Sequence, residues 1–382
     1  MDTSAVESMV GFRQRVRETD QVNRVTSRSL ARNARRINFE DISNKLKVPT
    51  FDEMKVLSSS LKKNKNCNHL QRLRHGLSSC QENIDIFLNT EGALYALIGC
   101  ATGSDALVQR EALCVLVNVA LGTETQCLEV ANKAGAYLIT LLSDSNPQIQ
   151  DPVAWCIGNL CGEHTSVCEI LQSQGVELSL LKLLSSYSPN VIQSAASALM
   201  HYVNTLPHRT SHVVNAEMCQ QLIQALDGME SCVVEVGWCL FTLSIHEEAC
   251  HKLVDHGIVQ AALSVLERLL NHQSFNLSGA TPLVRVLINC VAAVPGTGLQ
   301  ICQRNDQLVM VIRNLLYCPH AHLRTETLQL LANIINATTQ DSITGEGIVE
   351  DLSLRSRLAG PLRSALAANF TMQPPDVQTF HG

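Results

Sequence analysis

Four stretches decide the fold: ALCVLVNVAL (residues 112–121), VAWCIGNLC (153–161), LVRVLINCV (283–291) and LQLLANIIN (328–336). Each is an apolar helical run with an asparagine at one fixed place: Asn118, Asn159, Asn289 and Asn333. A second marker is a glycine opening another apolar run: EGALYALIG at Gly92, AGAYLITLL at Gly135, QGVELSLLKLL at Gly175 and HGIVQAALSVL at Gly257. Recurrence of such a unit about every 40–47 residues is the signature of a stacked helical solenoid. A solenoid offers a long surface rather than a single pocket, so the expectation is binding and not catalysis.

Composition agrees. Apolar residues make up 46% of the 382 while aromatics make up only 4%, which suits Leu, Val, Ala and Ile packing helix on helix. The 15 cysteines are spread singly along apolar runs, as at Cys114, Cys156, Cys239 and Cys290, and no secretory signal precedes them. They read as buried free thiols in a reducing compartment. No uncharged apolar stretch reaches the ~20 residues of a membrane helix. Residues 286–303 come nearest, and Pro295, Gly296 and Gly298 interrupt them. No membrane span is expected.

The net charge of −6 hides a division. Residues 10–36 hold eight arginines against Glu18 and Asp20, whereas residues 91–382 hold 13 Lys or Arg against 25 Asp or Glu. A basic head on an acidic body favours basic partners for the body and disfavours nucleic acid.

Residues 1–47 read as a basic arm, either disordered or helical, because too few apolar residues are present to bury a face. Residues 51–368 read as the solenoid: an irregular repeat near 51–101, then repeats near 104–143, 146–185, 188–227, 229–270, 280–317 and 319–368. Residues 369–382 read as a disordered tail, and the chain as a shorter form of a longer solenoid. Each repeat starts at a breaker such as Ser104-Asp105, Asn146-Pro147, Ser188-Pro189 or Pro319. A short first helix is expected there, then a second helix carrying the Asn, then a third opening after the Gly, which permits the chain reversal. Three helices per repeat favour the armadillo type over two-helix repeats. The expected fold is all-α, a right-handed armadillo-repeat superhelix of about seven repeats.

The candidate chemistry centres on Trp155 and Asn159, one helical turn apart on one face. An exposed indole can hold the stem and charge of a Lys or Arg, and an amide can pair with the backbone of an extended peptide. Two readings stand open: such a peptide track, or a core Trp155 with Asn159 bonded to a loop carbonyl. The candidate peptide-binding residues are Trp155, Asn159, Asn118, Trp238, Asn289 and Asn333.

The W-x-x-x-N pair with the arm motifs Asp20-Gln21-Val22 and Ser27-Arg28-Ser29-Leu30-Ala31-Arg32-Asn33 resembles importin alpha, and a divergent branch of that family more closely. WCIGNLCGEHTSVCEILQSQGV and VEVGWCLFTLS carry the resemblance through the body, and it covers nearly the whole chain. It implies an adaptor for proteins bearing basic nuclear localisation signals, shared between cytoplasm and nucleus. It also implies an arm that binds importin beta through Arg13, Arg15, Arg17, Arg24, Arg28, Arg32, Arg35 and Arg36 and can lie in the groove as a cargo mimic.

Departures from the family pattern are specific. Only Trp155 with Asn159 is an intact pair. Cys114 precedes Asn118, Ala198 and Tyr202 replace both members in the fourth repeat, and Trp238 precedes Thr242. Arg285 precedes Asn289, where it would repel a basic peptide, and Gln329 precedes Asn333. A degenerate scaffold without transport activity is therefore the alternative.

No other chemistry is indicated. His246, His251 and His256 step round a helix, and Cys161, His164 and Cys168 lie in an inter-helix segment, so neither set has zinc-ligand spacing. No phosphate loop or marked nucleophile occurs; no metal, cofactor or enzymatic activity is expected.

Overall fold

The computed structural model describes residues 47–342, apart from 163, 207–214, 229, 272–276, 295, 299–300 and 302–304. The eight arginines of the arm, the end of the seventh repeat and the 369–382 tail lie outside the described residues.

Seventeen α-helices and one 3-10 turn make up the described chain: α1 (Phe51–Ser60), α2 (Cys67–Ser79), α3 (Gln81–Asn89), α4 (Ala93–Ala101), α5 (Ala106–Val119), α6 (Glu124–Leu141), α7 (Pro147–Cys161), α8 (Thr165–Ser173), α9 (Val176–Leu183), α10 (Pro189–Thr205), α11 (Ala216–Gly228), α12 (Val233–Ser244), α13 (Glu247–Asp255), α14 (Ile258–Asn271), α15 (Leu277–Ala293), α16 (Asn305–Tyr317) and α17 (Ala321–Ser342). The 3-10 turn, Glu230–Cys232, leads into α12. No strand occurs among the described residues.

The breakers act as helix caps. Asp105 accepts the backbone N–H groups of Leu107 and Val108 at 3.0 and 3.1 Å. Asn146 accepts from Gln148 N at 3.0 Å, with Pro147 filling the first helical position where no donor is needed. Thr50 and Glu53 form a reciprocal capping box.

The order of helices within a repeat differs from the sequence expectation. The long helix carrying the ladder asparagine starts directly at the breaker, and the short helix follows it. α7, α8 and α9 run long, short, then a third helix opened by Gly175; α12, α13 and α14 repeat that order around Gly257. The cap residue and the apolar run are contiguous, so nothing remains between them to form a separate short helix. Gly92, Gly175 and Gly257 have φ of 73°, 82° and 88°, a left-handed turn that costs glycine nothing. At Gly92 the turn sets α3 and α4 at 96°. Gly135 is the exception: it lies inside the unbroken α6, and a Cβ there would meet Gln174 Oε1 at 2.8 Å and Leu171 Cδ2 at 3.1 Å. Glycine at that position serves the close approach of α8, not a reversal.

The chain forms two compact units, ending at Val176 and beginning at Glu177. In the first, the ladder helices α2, α5 and α7 pack side by side, with α4 against α5 and α6 against α7 and α8. In the second, α10, α12, α15 and α17 pack in succession, backed by α11, α14 and α16. Leu113, Val115, Leu116, Val153, Ile157, Leu240, Val286 and Leu287 are almost wholly buried in these rows.

The fourteen cysteines among the described residues are free thiols, all buried except the half-buried Cys67 and Cys80. Burial pushes the Cys114 thiol up to about 12 and those of Cys219 and Cys232 to about 11, so they remain protonated. No single described helix is long and apolar enough to cross a membrane; α3 and α4, bent by 96°, reach that length and composition only as a pair.

Candidate functional site

The ladder residue stands twelve positions after the first residue of its helix: Asn118 after Ala106, Asn159 after Pro147, Asn289 after Leu277 and Asn333 after Ala321. Thr242 keeps the same distance from Glu230, where the 3-10 turn begins. In α10, which starts at Pro189, the register falls on His201, with Ser197 four residues before it. Tyr202 and Ala198 are thus one position out of phase. Both are fully buried, and the Tyr202 hydroxyl donates to Glu177 at 3.2 Å.

One hydrogen-bonding pattern recurs between several ladder helices, although Thr242 departs from it and meets Asn204 Oδ1 at 2.5 Å. Asn159 Nδ2 donates to the Val117 carbonyl at 2.9 Å, and Asn333 Nδ2 to the Ile288 carbonyl at 3.3 Å. Each acceptor is the residue just before the previous ladder position. Asn118 Nδ2 donates to the Arg74 carbonyl at 3.2 Å, which identifies His75 as the ladder residue of α2. Asn289 Nδ2 reaches the Ser244 hydroxyl at 3.0 Å, and that hydroxyl donates to the Phe241 carbonyl at 2.8 Å, immediately before Thr242. The ladder amides are staples between neighbouring helices.

The staple at Asn159 completes the end of α5. Of the last four carbonyls of that helix, Leu116, Asn118 and Val119 accept from Ala120, Leu121 and Gly122. Val117 alone depends on the Asn159 amide.

Asn118 is 0% exposed and Asn159 5%, so these two amides do not face outward where a foreign strand could lie. One N–H of each amide is used within the fold, and Asn159 Oδ1 is buried without a hydrogen bond. Asn289 and Asn333 are half-buried and keep some surface.

The two tryptophans differ in occupancy. Trp155 is half-exposed on α7, and no aromatic or cationic partner lies on its ring among the described residues. The ring of Trp238 is already covered. The Arg285 guanidinium lies 5.6 Å from its centroid and 5.5 Å from that of Phe241. Arg285 in turn donates through Nε and Nη2 to Glu326 Oε1 at 2.9 and 2.6 Å. This arginine lies on the Trp238 ring and is paired within the fold.

The carboxylates form a second register, absent from the sequence reading. Glu111, Glu235 and Glu326 each stand seven residues before a ladder position, at Asn118, Thr242 and Asn333. Glu111 pairs with the buried Arg74 of the preceding ladder helix, and Glu326 with Arg285 of its preceding helix. Glu235 has no cationic partner among the described residues, and its Oε2 is buried without a hydrogen bond. Burial holds its carboxyl above the usual carboxylate range. The recurring Glu, 91 residues apart at 235 and 326, was the available signal.

No group of three His, Cys, Asp or Glu side chains among the described residues could hold a metal.

The comparisons with known proteins agree with this geometry. The armadillo/beta-catenin-like repeat model matches residues 137–162, the end of α6 and all of α7. An engineered protein of known structure superposes with a TM-score of 0.64 at 21% identity, over 83% of this chain and 80% of that one. The fold is an armadillo-repeat array. A designed armadillo repeat protein in complex with the peptide (KR)4 gives a TM-score of 0.51 at 20% identity, over 63% of this chain and 99% of that one. Among curated proteins, importin subunit alpha-9 of Arabidopsis thaliana is 25% identical over 261 residues, 64% of this chain and 48% of that protein. Importin subunit alpha-2 of the same plant is 24% identical over 172 residues, 44% of this chain and 31% of that protein. The armadillo array thus spans less than half the length of the curated relatives it matches.

Proposed function

We propose that this armadillo array is a protein-interaction scaffold that holds an extended segment of a partner protein against its ladder helices. The observation that carries the reading is the half-exposed Trp155 ring of α7, on which no aromatic or cationic partner lies among the described residues. An indole so placed, on a body of acidic balance, suits a segment containing Lys or Arg.

The finer form of the proposal is an importin-alpha-like adaptor for basic nuclear localisation signals, moving between cytoplasm and nucleus. Its arm, residues 1–47, would bind importin beta through the arginines from Arg13 to Arg36. Similarity to two importin alpha subunits supports it. A scaffold without transport activity is the second reading. Arg285 on Trp238 and the committed amides of Asn118 and Asn159 favour it, because they remove most of a repeated Trp/Asn track.

Fluorescence anisotropy of labelled (KR)4 against the full chain tests the scaffold reading. Saturable binding weakened by Trp155→Ala is expected; binding indifferent to Trp155 would overturn it. Capture of importin beta by the full chain, lost when the arm arginines are changed to Ser, is the result expected of the adaptor. Failure of that capture would leave the scaffold without a transport role.

A further inference from the structure

We propose that Cys250 of α13 and Cys290 of α15 form a dithiol that hydrogen peroxide closes to a disulfide, tying together two adjacent repeats of the second unit. The proposal is independent of what the ladder helices bind.

In three repeats the helix that follows a ladder helix carries a thiol that caps it. Cys127 Sγ donates to the Ala120 carbonyl at 3.4 Å, Cys168 Sγ to the Cys161 carbonyl at 3.3 Å and Cys250 Sγ to the Ser244 carbonyl at 3.0 Å. Each acceptor stands two residues after a ladder position, where the last turn has carbonyls without intrahelical donors. Beside Cys250 lies a thiol of the next repeat. α13 packs on α15, and the Cys290 thiol donates to Cys250 Sγ. Ser244 holds both residues in register. Its carbonyl receives the Cys250 thiol, and its hydroxyl receives the amide of Asn289, the neighbour of Cys290.

The two sulfurs are unequal. The hydrogen bond from Cys290 holds the Cys250 thiol below its ordinary value, against burial and the charge of Glu247. The same bond, with burial, pushes the Cys290 thiol far up. Cys250 is therefore the attacking sulfur and Cys290 the resolving one. The Cys250 thiolate attacks one oxygen of the peroxide: an S–O bond forms, the O–O bond breaks, and the departing hydroxide takes up a proton to leave as water. Cys290 then gives its proton to the sulfenic hydroxyl and attacks the Cys250 sulfur, forming the S–S bond as a second water leaves. Two electrons pass from the sulfurs to the peroxide. Both side chains are 0% exposed, so the oxidant has to be small and to enter when the nine-residue α13 opens locally.

The test uses the full chain at peroxide concentrations that leave its far-ultraviolet circular dichroism unchanged. The protein is then unfolded in N-ethylmaleimide and digested without reduction. Cleavage after Glu248 and Lys252 separates Cys250 from Cys239, so mass spectrometry reads its linkage directly. The expected product is a linked pair of peptides containing Cys250 and Cys290, two hydrogens lighter than the separate thiols, with loss of maleimide at both and recovery by dithiothreitol. Cys161 and Cys168, which share a hydrogen bond within one repeat, are the internal comparison and should close only at higher peroxide. In Cys290→Ser the Cys250 sulfenic acid should persist and be trapped by dimedone on unfolding. Cys239→Ser, which removes a buried thiol from α12, should leave the linkage intact. The dithiol is refuted if both residues of the parent are recovered as maleimide adducts after peroxide, if the linkage appears only once the circular dichroism is lost, or if Cys161–Cys168 closes first.

Discussion

Replacing Asn159 by alanine separates a staple from a peptide contact. The substitution removes the 2.9 Å bond from Nδ2 to the Val117 carbonyl, whose residue is fully buried and whose helix ends two residues later. No other donor takes over, because the amides of Ala120, Leu121 and Gly122 serve the carbonyls of Leu116, Asn118 and Val119. Orphaning a buried carbonyl costs about 1–3 kcal/mol. At about 2–4 °C per kcal/mol for a unit of this size, a loss near 2 kcal/mol lowers the melting temperature by about 4–8 °C. Asn333→Ala is the control: Ile288, its acceptor, lies inside α15, Asn333 is half-buried, and the expected cost is below about 1 kcal/mol. Thermal melts followed by far-ultraviolet circular dichroism in the absence of peptide supply the comparison. An unchanged melting temperature for Asn159→Ala, or a larger loss for Asn333→Ala, would refute the staple.

Three further outcomes are expected. Glu235→Gln should stabilise the protein at neutral pH and not at pH 4: a carboxyl whose folded pKa is raised by burial binds protons more tightly when folded, so parent stability falls as pH rises from the unfolded pKa through the folded one. Urea titrations at the two pH values measure this, and a variant no more stable than the parent at pH 7 would contradict it. Gly257→Ala should cost about 1–2 kcal/mol although nothing lies within 4 Å of the added Cβ, since its φ of 88° is the whole expense; an unchanged urea midpoint would count against that. Arg285→Ala should uncover Trp238, costing about 1 kcal/mol of stability while raising (KR)4 affinity severalfold; weaker (KR)4 binding by anisotropy would show that Arg285 is not blocking the ring.

Much of the fold was legible because period and punctuation are written in residue types. The apolar runs with Asn118, Asn159, Asn289 and Asn333, and the glycines at 92, 175 and 257, each have a local physical cause. Gly135 was misread because the letters do not carry φ: inside helix-forming neighbours a glycine can mark a close approach as readily as a turn. The fourth repeat slipped by one residue because it lacks the asparagine that fixes phase, and only the helix start at Pro189 restores it. Spacing placed Trp155 and Asn159 on one face but could not give depth, which leaves the indole half-exposed and the amide 5% exposed. The Arg285–Glu326 pair joins residues 41 apart, a contact that exists only once neighbouring repeats are stacked.

The central claim is that ladder amides hold the repeats together and leave recognition to the uncovered indole. The direct test is the dissociation constant of labelled (KR)4 for full-length Asn159→Ala and Trp155→Ala, measured well below both melting temperatures. A value within about twofold of the parent is expected for Asn159→Ala, and one at least about tenfold weaker for Trp155→Ala. The reverse ranking, with Asn159→Ala unable to hold the peptide and Trp155→Ala binding normally, would contradict it.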